Sequence, residues 1–356
     1  MTFFKSFIRS LLDEGHTVDI ATNEEKYKVV DCFREWGCNV FHVSWKRTPL
    51  SLGNVRAIFD IRKLVTSKEY DIVHCHTPIA SVCTRLACKD LRRNGVKVIY
   101  TAHGFHFYRG APLQNWALFY PIEKICARYT DIIITINNED YVLAKRRMKA
   151  KRVEYVPGVG IDTEMFRNAT VDRGQKRKEI GVPENVFLVL SVGELNKNKN
   201  HQSVIRAVAS LSNLNIHYAI AGEGDQRAAL EKLAADTKVF DRIHLLGYRN
   251  DVAELYKAAD IFALPSIREG LNVSVMEAMA SGLPSIISRI RGNVDLIDDS
   301  TGYLVETSNV EDIINGILDI LSGTIKSDNC ILSAQKYSKD KINTILYRYY
   351  LEIINE

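Results

Sequence analysis

Long apolar stretches are missing from this sequence. No run approaches the roughly 18–20 residues that a membrane-crossing helix needs, and the apolar runs at 131–136 and 186–192 are only of strand length. The seven cysteines (Cys32, Cys38, Cys75, Cys83, Cys88, Cys126 and Cys330) are odd in number, scattered and without a CxxC pair. That argues against a disulfide framework and for reduced thiols in a cytoplasm. The opening MTFFKSFIRSLLDEGH has neither the apolar core nor the small-residue cleavage site of a secretory signal. What remains is an ordinary globular composition, 46% hydrophobic and 25% charged over 356 residues. That length is about twice a usual single domain, so two domains are expected.

A net charge of +4 conceals an asymmetry. Residues 1–168 carry 26 Lys and Arg against 18 Asp and Glu, a net of +8, and the remainder carries a net of −4. The basic excess peaks at Lys145–Arg152 (KRRMKAKR). A solvated helix face is the plain reading of such a run, and attraction to anionic lipid headgroups or to a phosphorylated acceptor is the sharper one. Nucleic acid is not expected, because no binding motif accompanies the charge.

Short β-branched runs alternate with helical patterns along the whole chain. Strands are predicted at 17–21, 71–75, 97–101, 131–136 and 153–156, then in a second series at 186–192, 216–221, 243–246, 260–264 and 284–288. Helical stretches lie between them, among them 54–67, 79–93, 114–129, 201–212, 225–237, 250–258 and 273–281. Continuously apolar strands alternating with helices indicate parallel sheets buried on both faces. The fold class is therefore α/β, two doubly wound Rossmann-like domains with ligands expected at the carboxyl ends of strands and in a cleft between the domains. The polar, glycine-bearing stretch Pro157–Gly181 reads as the connection, giving domains at 1–168 and 169–335. In the last helix, Ile342, Ile345, Leu346, Tyr349 and Tyr350 share one face, so residues 336–356 are expected to pack back toward the first domain.

Two carboxylates, Glu269 and Glu277, bracket a strand-to-helix turn. Pro265–Asn272 (PSIREGLN) follows a predicted strand, and a helix begins near Val273. The amides of Gly270, Leu271 and Asn272 then point out of a helix start, which suits a phosphate through free N–H groups and the positive dipole end. An exposed turn glutamate and a capping glutamate are the alternative for the pair. His74 and His76 (HCH) read as strand-end residues rather than a metal pair, since a third ligand at suitable spacing is not visible.

Here the sequence resembles glycosyltransferase family 4, retaining enzymes of the GT-B fold, and most of all those of bacterial capsule and exopolysaccharide assembly. The resemblance covers nearly the whole chain and is carried by SVGELNKNKN (191–200), AGEGD (221–225), LLGYRNDV (245–252), ADIFALPS (259–266), REGLNVSVMEAMASGLP (268–284) and TGYLV (301–305). TAHGFHFY (101–108) and VPGVGIDTEMF (156–166) match in the first domain.

The resemblance implies an acceptor-binding first domain, a nucleotide-sugar-binding second domain, and transfer of a hexose or N-acetylhexosamine from a UDP-sugar. The acceptor would be a saccharide on a polyprenyl diphosphate at the inner membrane face, with Lys145–Arg152 in peripheral contact with anionic lipid. By the same resemblance Glu269 holds donor-sugar hydroxyls, Glu277 the ribose diol, and Lys199 the diphosphate. His103 approaches the reacting centre, and Gly193, Arg268, Gly270, Leu271 and Asn272 line the donor site. No cofactor beyond the donor is expected. Nor is a metal, because the sequence has no Asp-x-Asp pair.

Two departures stand out. The family often has Arg where this chain has Glu194, which leaves Arg268 or Arg291 to supply the second cation. Family members also open with a strand and glycine loop, whereas here a helix over 3–14 starts at once, as if the first strand were missing. A nucleotide-sugar-binding protein without turnover and a GT-B epimerase are the alternatives.

Overall fold

The computed structural model describes residues 4–25, 28–46, 48, 51–307 and 309–356. The chain forms two compact units, Met1–Gly160 with Lys339–Glu356, and Ile161–Ser338. The sequence reading puts the crossing near residue 168. The stretch after Ile161 joins the second unit because Ile161 donates its N–H to the Tyr337 carbonyl (2.9 Å) and pairs with Ser338. Phe166 is buried in the same core, edge-on to Tyr256.

The first unit runs α1 (Lys5–Asp13), β1 (Ile20–Thr22), α2 (Cys32–Glu35), β2 (Val40–His42), α3 (Leu52–Lys68), β3 (Ile72–His76), α4 (Pro78–Cys88), β4 (Lys97–Ala102), α5 (Leu113–Ala127), β5 (Ile132–Thr135), α6 (Asn138–Arg147) and β6 (Arg152–Tyr155). Its strands form two parallel sheets, β1-β2 and β3-β4-β5-β6. The helix expected from residue 3 runs from Lys5, and residue 3 itself lies outside the described residues. In β5 every residue is buried, as expected of β-branched side chains in a strand covered on both faces. Helix α6 starts at Asn137, whose side chain accepts from the Asp140 N–H, and it ends in Lys145, Arg146 and Arg147. Acids in the first turn and bases in the last complement the helix dipole.

The second unit runs α7 (Thr163–Asn168), α8 (Arg173–Glu179), β7 (Phe187–Val192), α9 (His201–Ser210), β8 (Ile216–Ala221), α10 (Arg227–Asp236), β9 (Ile243–Gly247), α11 (Val252–Ala258), β10 (Ile261–Leu264), α12 (Val273–Ala280), β11 (Ser285–Ser288), β12 (Gly302–Val305), α13 (Val310–Leu321) and α14 (Ser327–Ala334). Helix α15 (Lys339–Ile354) returns to the first unit, where Ile342, Leu346, Tyr349 and Ile353 bury against Phe7, Leu11, Ile99 and Ile132.

The second sheet is six-stranded and parallel, in the order β12-β11-β10-β7-β8-β9. Succession runs outward one way through β7, β8 and β9 and the other way through β10, β11 and β12. The order therefore reverses between β7 and β10, and the loops that leave their carboxyl ends diverge to opposite faces. Helix α9 joins one core layer with α10 and α13, and α12 joins the other with α11 and α14. In open parallel sheets this switch point is where a crevice opens for a ligand.

Candidate active site

The loops at the switch point are 193–200 and 265–272, and they are sewn together. Ile267 donates its N–H to the Asn198 carbonyl (2.7 Å), and the Asn198 amide donates to the Arg268 carbonyl (2.9 Å). The buried Asn200 donates to Pro265 (3.1 Å) and Thr307 (3.0 Å). Lys199 is held from behind, because the Asn196 side chain accepts its N–H and its aliphatic stem lies over Gly193. From there its Nζ reaches Glu269 Oε1 at 2.8 Å, with both side chains mostly buried. The structure thus brings together Gly193, Lys199 and Glu269, residues up to 76 positions apart in the chain.

Glycines permit neighbouring turns to approach each of these loops closely. A Cβ at Gly222 would sit 1.9 Å from the Gly193 carbonyl oxygen, and one at Gly224 would sit 2.3 Å from that of Leu195. On the opposite side Gly292, at φ +81°, lies against the Gly270 carbonyl, 2.1 Å from where its Cβ would be. That contact brings the turn containing Arg291 to the helix start at Gly270.

Helix α12 begins without a side-chain cap, since Asn272 makes no capping bond. Asn272 is buried, its carbonyl oxygen accepts from the Ser274 hydroxyl (2.9 Å), and its amide nitrogen has no hydrogen-bond partner. The first amides of a helix have no intrahelical acceptor, so this turn presents N–H groups for an anion. One turn into the helix, Glu277 Oε2 accepts from the Tyr256 hydroxyl at 3.0 Å. Burial pushes the Glu277 carboxyl up to about 7, against the lowering effect of the tyrosine bond. Glu194 is exposed and turns its carboxylate onto the Asn196 amide (2.9 Å) of its own loop. Arg268 is exposed and, among the described residues, has no carboxylate partner. Its guanidinium is available to an anion where Glu194 is not.

His103 lies in the first unit, just beyond β4. Its Nε2 is 3.4 Å from Nδ1 of His76, which ends the neighbouring β3. Burial lowers His103 to about 4 and His76 well below the ordinary imidazole value, so both rings are neutral near pH 7. His74 instead bonds the hydroxyls of Tyr350 (2.6 Å) and Thr101 (2.8 Å), within the fold. His106 is exposed and stacks on Phe119. The Lys145–Arg152 run divides. Met148 is buried, Lys151 pairs with Glu356 and Arg152 with Glu154 and Glu352, while Lys145, Arg146, Arg147 and Lys149 are exposed.

Sequence reasoning did not single out His76 as a neighbour of His103, or Tyr256 as the partner of Glu277. His76 carries a usable signal, since it ends the strand preceding the one that delivers His103. Tyr256 carries none, being one of 16 tyrosines within an ordinary helix.

The family description "Glycosyl transferases group 1" matches residues 172–337, and "Glycosyl transferase 4-like" matches residues 1–137. A Bacillus subtilis protein named as a glycosyltransferase, EpsD, is 39% identical over 298 residues, which cover 82% of this chain and 76% of that one. The chain belongs to this glycosyltransferase family. Another relative of the enzyme, 29% identical over 78% of this chain and 74% of its own, is the Escherichia coli UDP-Gal:alpha-D-GlcNAc-diphosphoundecaprenol alpha-1,3-galactosyltransferase. Among solved structures, a glycosyltransferase from Rickettsia africae matches with a TM-score of 0.83 at 19% identity, over 99% of this chain and 94% of that one. Anabaena HepE in complex with UDP matches at 0.79 and 16% identity, over 95% and 100%. These likenesses establish the GT-B fold of the glycosyltransferase, with its two Rossmann-like units.

Proposed function

We propose that this glycosyltransferase moves a hexose or N-acetylhexosamine from a UDP-sugar to a hydroxyl of a lipid-linked saccharide in exopolysaccharide or capsule assembly, with retention and without a metal ion. The observation that carries the reading is the Lys199–Glu269 pair at the switch point, beside the uncapped start of α12 and with Glu277 one turn further on. Glu269 accepts hydroxyls of the donor sugar through its second oxygen. Lys199 keeps two N–H donors for the diphosphate, and the α12 amides and the Arg268 guanidinium add positive potential. Glu277, in its ionised form, accepts from the vicinal ribose hydroxyls. The acceptor oxygen bonds to the anomeric carbon on the leaving-group face as the carbon–phosphate oxygen bond breaks, and the acceptor's proton passes to the departing diphosphate. Stabilising the charge that develops there is the main task of Lys199. His103, neutral beside His76, offers a hydrogen bond rather than a charge to the reacting sugar.

The UDP-linked donor and the lipid-linked acceptor are supported by the names of the Escherichia coli relative and of the UDP complex of HepE. Cytoplasmic placement follows the same reading, and no described helix is long and apolar enough to cross a membrane. Calorimetric titration with UDP and UDP-hexoses in chelator tests the donor half. Binding that survives chelation and is lost in Lys199→Ala supports it. Binding only with added Mg²⁺, or equal binding by the variant, refutes it.

A further inference from the structure

The HCH run of β3 has a use that its sequence spacing does not reveal. Side chains two apart in a strand share a face, so His74 and His76 stand together. Strand β4 runs parallel beside β3 with Thr101 opposite His76, and His103 follows one residue beyond the end of β4. Two adjacent strands thus deliver three imidazoles and a hydroxyl to one place on the larger sheet of the first unit.

Each ring is held in a different way. His74 is fixed at both nitrogens, by the Tyr350 hydroxyl of α15 and the Thr101 hydroxyl of β4. His76 is confined by rings instead. Its centre lies 4.2 Å from that of His74 and 4.0 Å from that of Phe4, at interplanar angles of 38° and 41°. Phe4 also meets His103 edge-on at 6.0 Å. So confined, His76 turns its Nδ1 to Nε2 of His103 at 3.4 Å. Among the described residues, neither side chain makes another hydrogen bond. Burial lowers His74 to about 3, so with His76 and His103 it leaves the group uncharged near pH 7.

A neutral imidazole has one donor nitrogen and one acceptor. A hydrogen bond between two such rings therefore couples their tautomers, because the bond made at one nitrogen sets the state of the other. If His76 donates from Nδ1, His103 accepts at Nε2 and bears its proton on Nδ1. If His103 donates instead, its Nδ1 is left bare. Only the first arrangement keeps the bond and still lets His103 donate to a sugar oxygen. We propose that His76 is a positioning residue, which donates to His103 and holds it as the Nδ1–H tautomer, turned to donate to the reacting sugar. This role rests on the reading that His103 offers that sugar a hydrogen bond. The packing of Phe4 and His74 on His76 suits it, since a ring free to turn would fix neither the tautomer nor the direction of its neighbour.

Nitrogen NMR of the full chain with isotope-labelled histidine tests the proposal, because the ring shifts report which nitrogen bears the proton. The His103 signals are identified by their loss in His103→Phe. Native His103 is expected as Nδ1–H. His76→Phe keeps an aromatic ring against Phe4 and His74, and should return His103 to the Nε2–H form that a free neutral imidazole favours. With UDP-galactose or UDP-N-acetylglucosamine as donor and a lipid-linked saccharide as acceptor, His76→Phe lowers kcat on the order of 100-fold. Donor KM stays within about twofold. His76→Asn sets an amide where Nδ1 stood and recovers most of the loss, whereas His76→Gln, whose amide falls nearer Nε2, does not. On a His103→Phe background, His76→Phe changes kcat by no more than about twofold. An unchanged melting temperature verifies folding. A native His103 protonated at Nε2, a tautomer unmoved in His76→Phe, or an equal fall in kcat on both backgrounds overturns the proposal. The shifts need neither donor nor acceptor, so they decide the role of His76 even where the native chain transfers no sugar, a result that sinks the transfer reading alone.

Discussion

At Glu277, burial and a tyrosine hydroxyl act in opposite directions on one carboxyl, and burial prevails. A carboxyl raised from 4.5 to about 7 in the folded chain contributes stability that is complete below the lower value and is lost as pH rises through the upper. That change amounts to at most about 3 kcal/mol. Glu277→Gln should therefore gain on the native protein in melting temperature between about pH 5 and pH 8. A difference that stays constant with pH would show that Glu277 does not titrate there. Donor affinity should follow the opposite trend, rising through the same range as the carboxylate becomes a full acceptor for the ribose diol.

Lys199 and Glu269 neutralise each other at 2.8 Å, so their removal should have unequal effects. Lys199→Ala leaves a mostly buried carboxylate facing the diphosphate, and kcat should fall roughly 100- to 1,000-fold. Glu269→Gln should weaken a UDP-sugar more than UDP itself, because only the former offers sugar hydroxyls. Equal losses for both ligands, measured by calorimetry, would move Glu269 from the sugar to the diphosphate.

Among the elements, the turns that follow β7 and β8 touch backbone to backbone, as do those that follow β10 and β11. Gly222→Ala would set a methyl group 1.9 Å from the Gly193 carbonyl, where no flexible side chain can give way. The expected cost is about 1–3 kcal/mol, read as a lower melting temperature together with weaker donor binding. Gly292→Ala meets the Gly270 carbonyl and an unfavourable φ, so it should disturb the α12 start directly and raise the donor KM. An unchanged KM would mean that the helix start does not hold the donor.

The same elements mark what could be read beforehand. Strands β7 and β8 and helices α9 and α12 stand within a residue or two of their predicted ends, because continuous apolar runs and helical periodicity are local properties. The short β2, Val40–His42, has too few residues to stand out from a loop. Strand order is not a local property. That β10 lies beside β7 depends on pairing Ile261 with Val189 and Phe262 with Leu190, and only that pairing makes the loops of Lys199 and Glu269 neighbours. The Tyr256–Glu277 and His76–His103 contacts arise likewise from packing between separate elements.

Over the whole molecule, charge and architecture divide the work. The first unit contains the neutral His76–His103 pair. The second contains the switch-point loops with Lys199 and Glu269, the start of α12 and Glu277. On the reading proposed above, Lys199, Arg268 and backbone amides supply the positive charge at the diphosphate, so chelator should leave turnover unaffected, and restoration by Mg²⁺ of a lost activity would contradict that reading. The most direct measurement is transfer itself: purified protein, a panel of UDP-sugars and a polyprenyl-diphosphate-linked saccharide, with UDP release and the anomeric configuration of the product followed together. The account predicts release coupled to an α-linked product from an α-linked donor, abolished in Lys199→Ala. UDP binding with no transfer from any donor, or a product of inverted configuration, would contradict it.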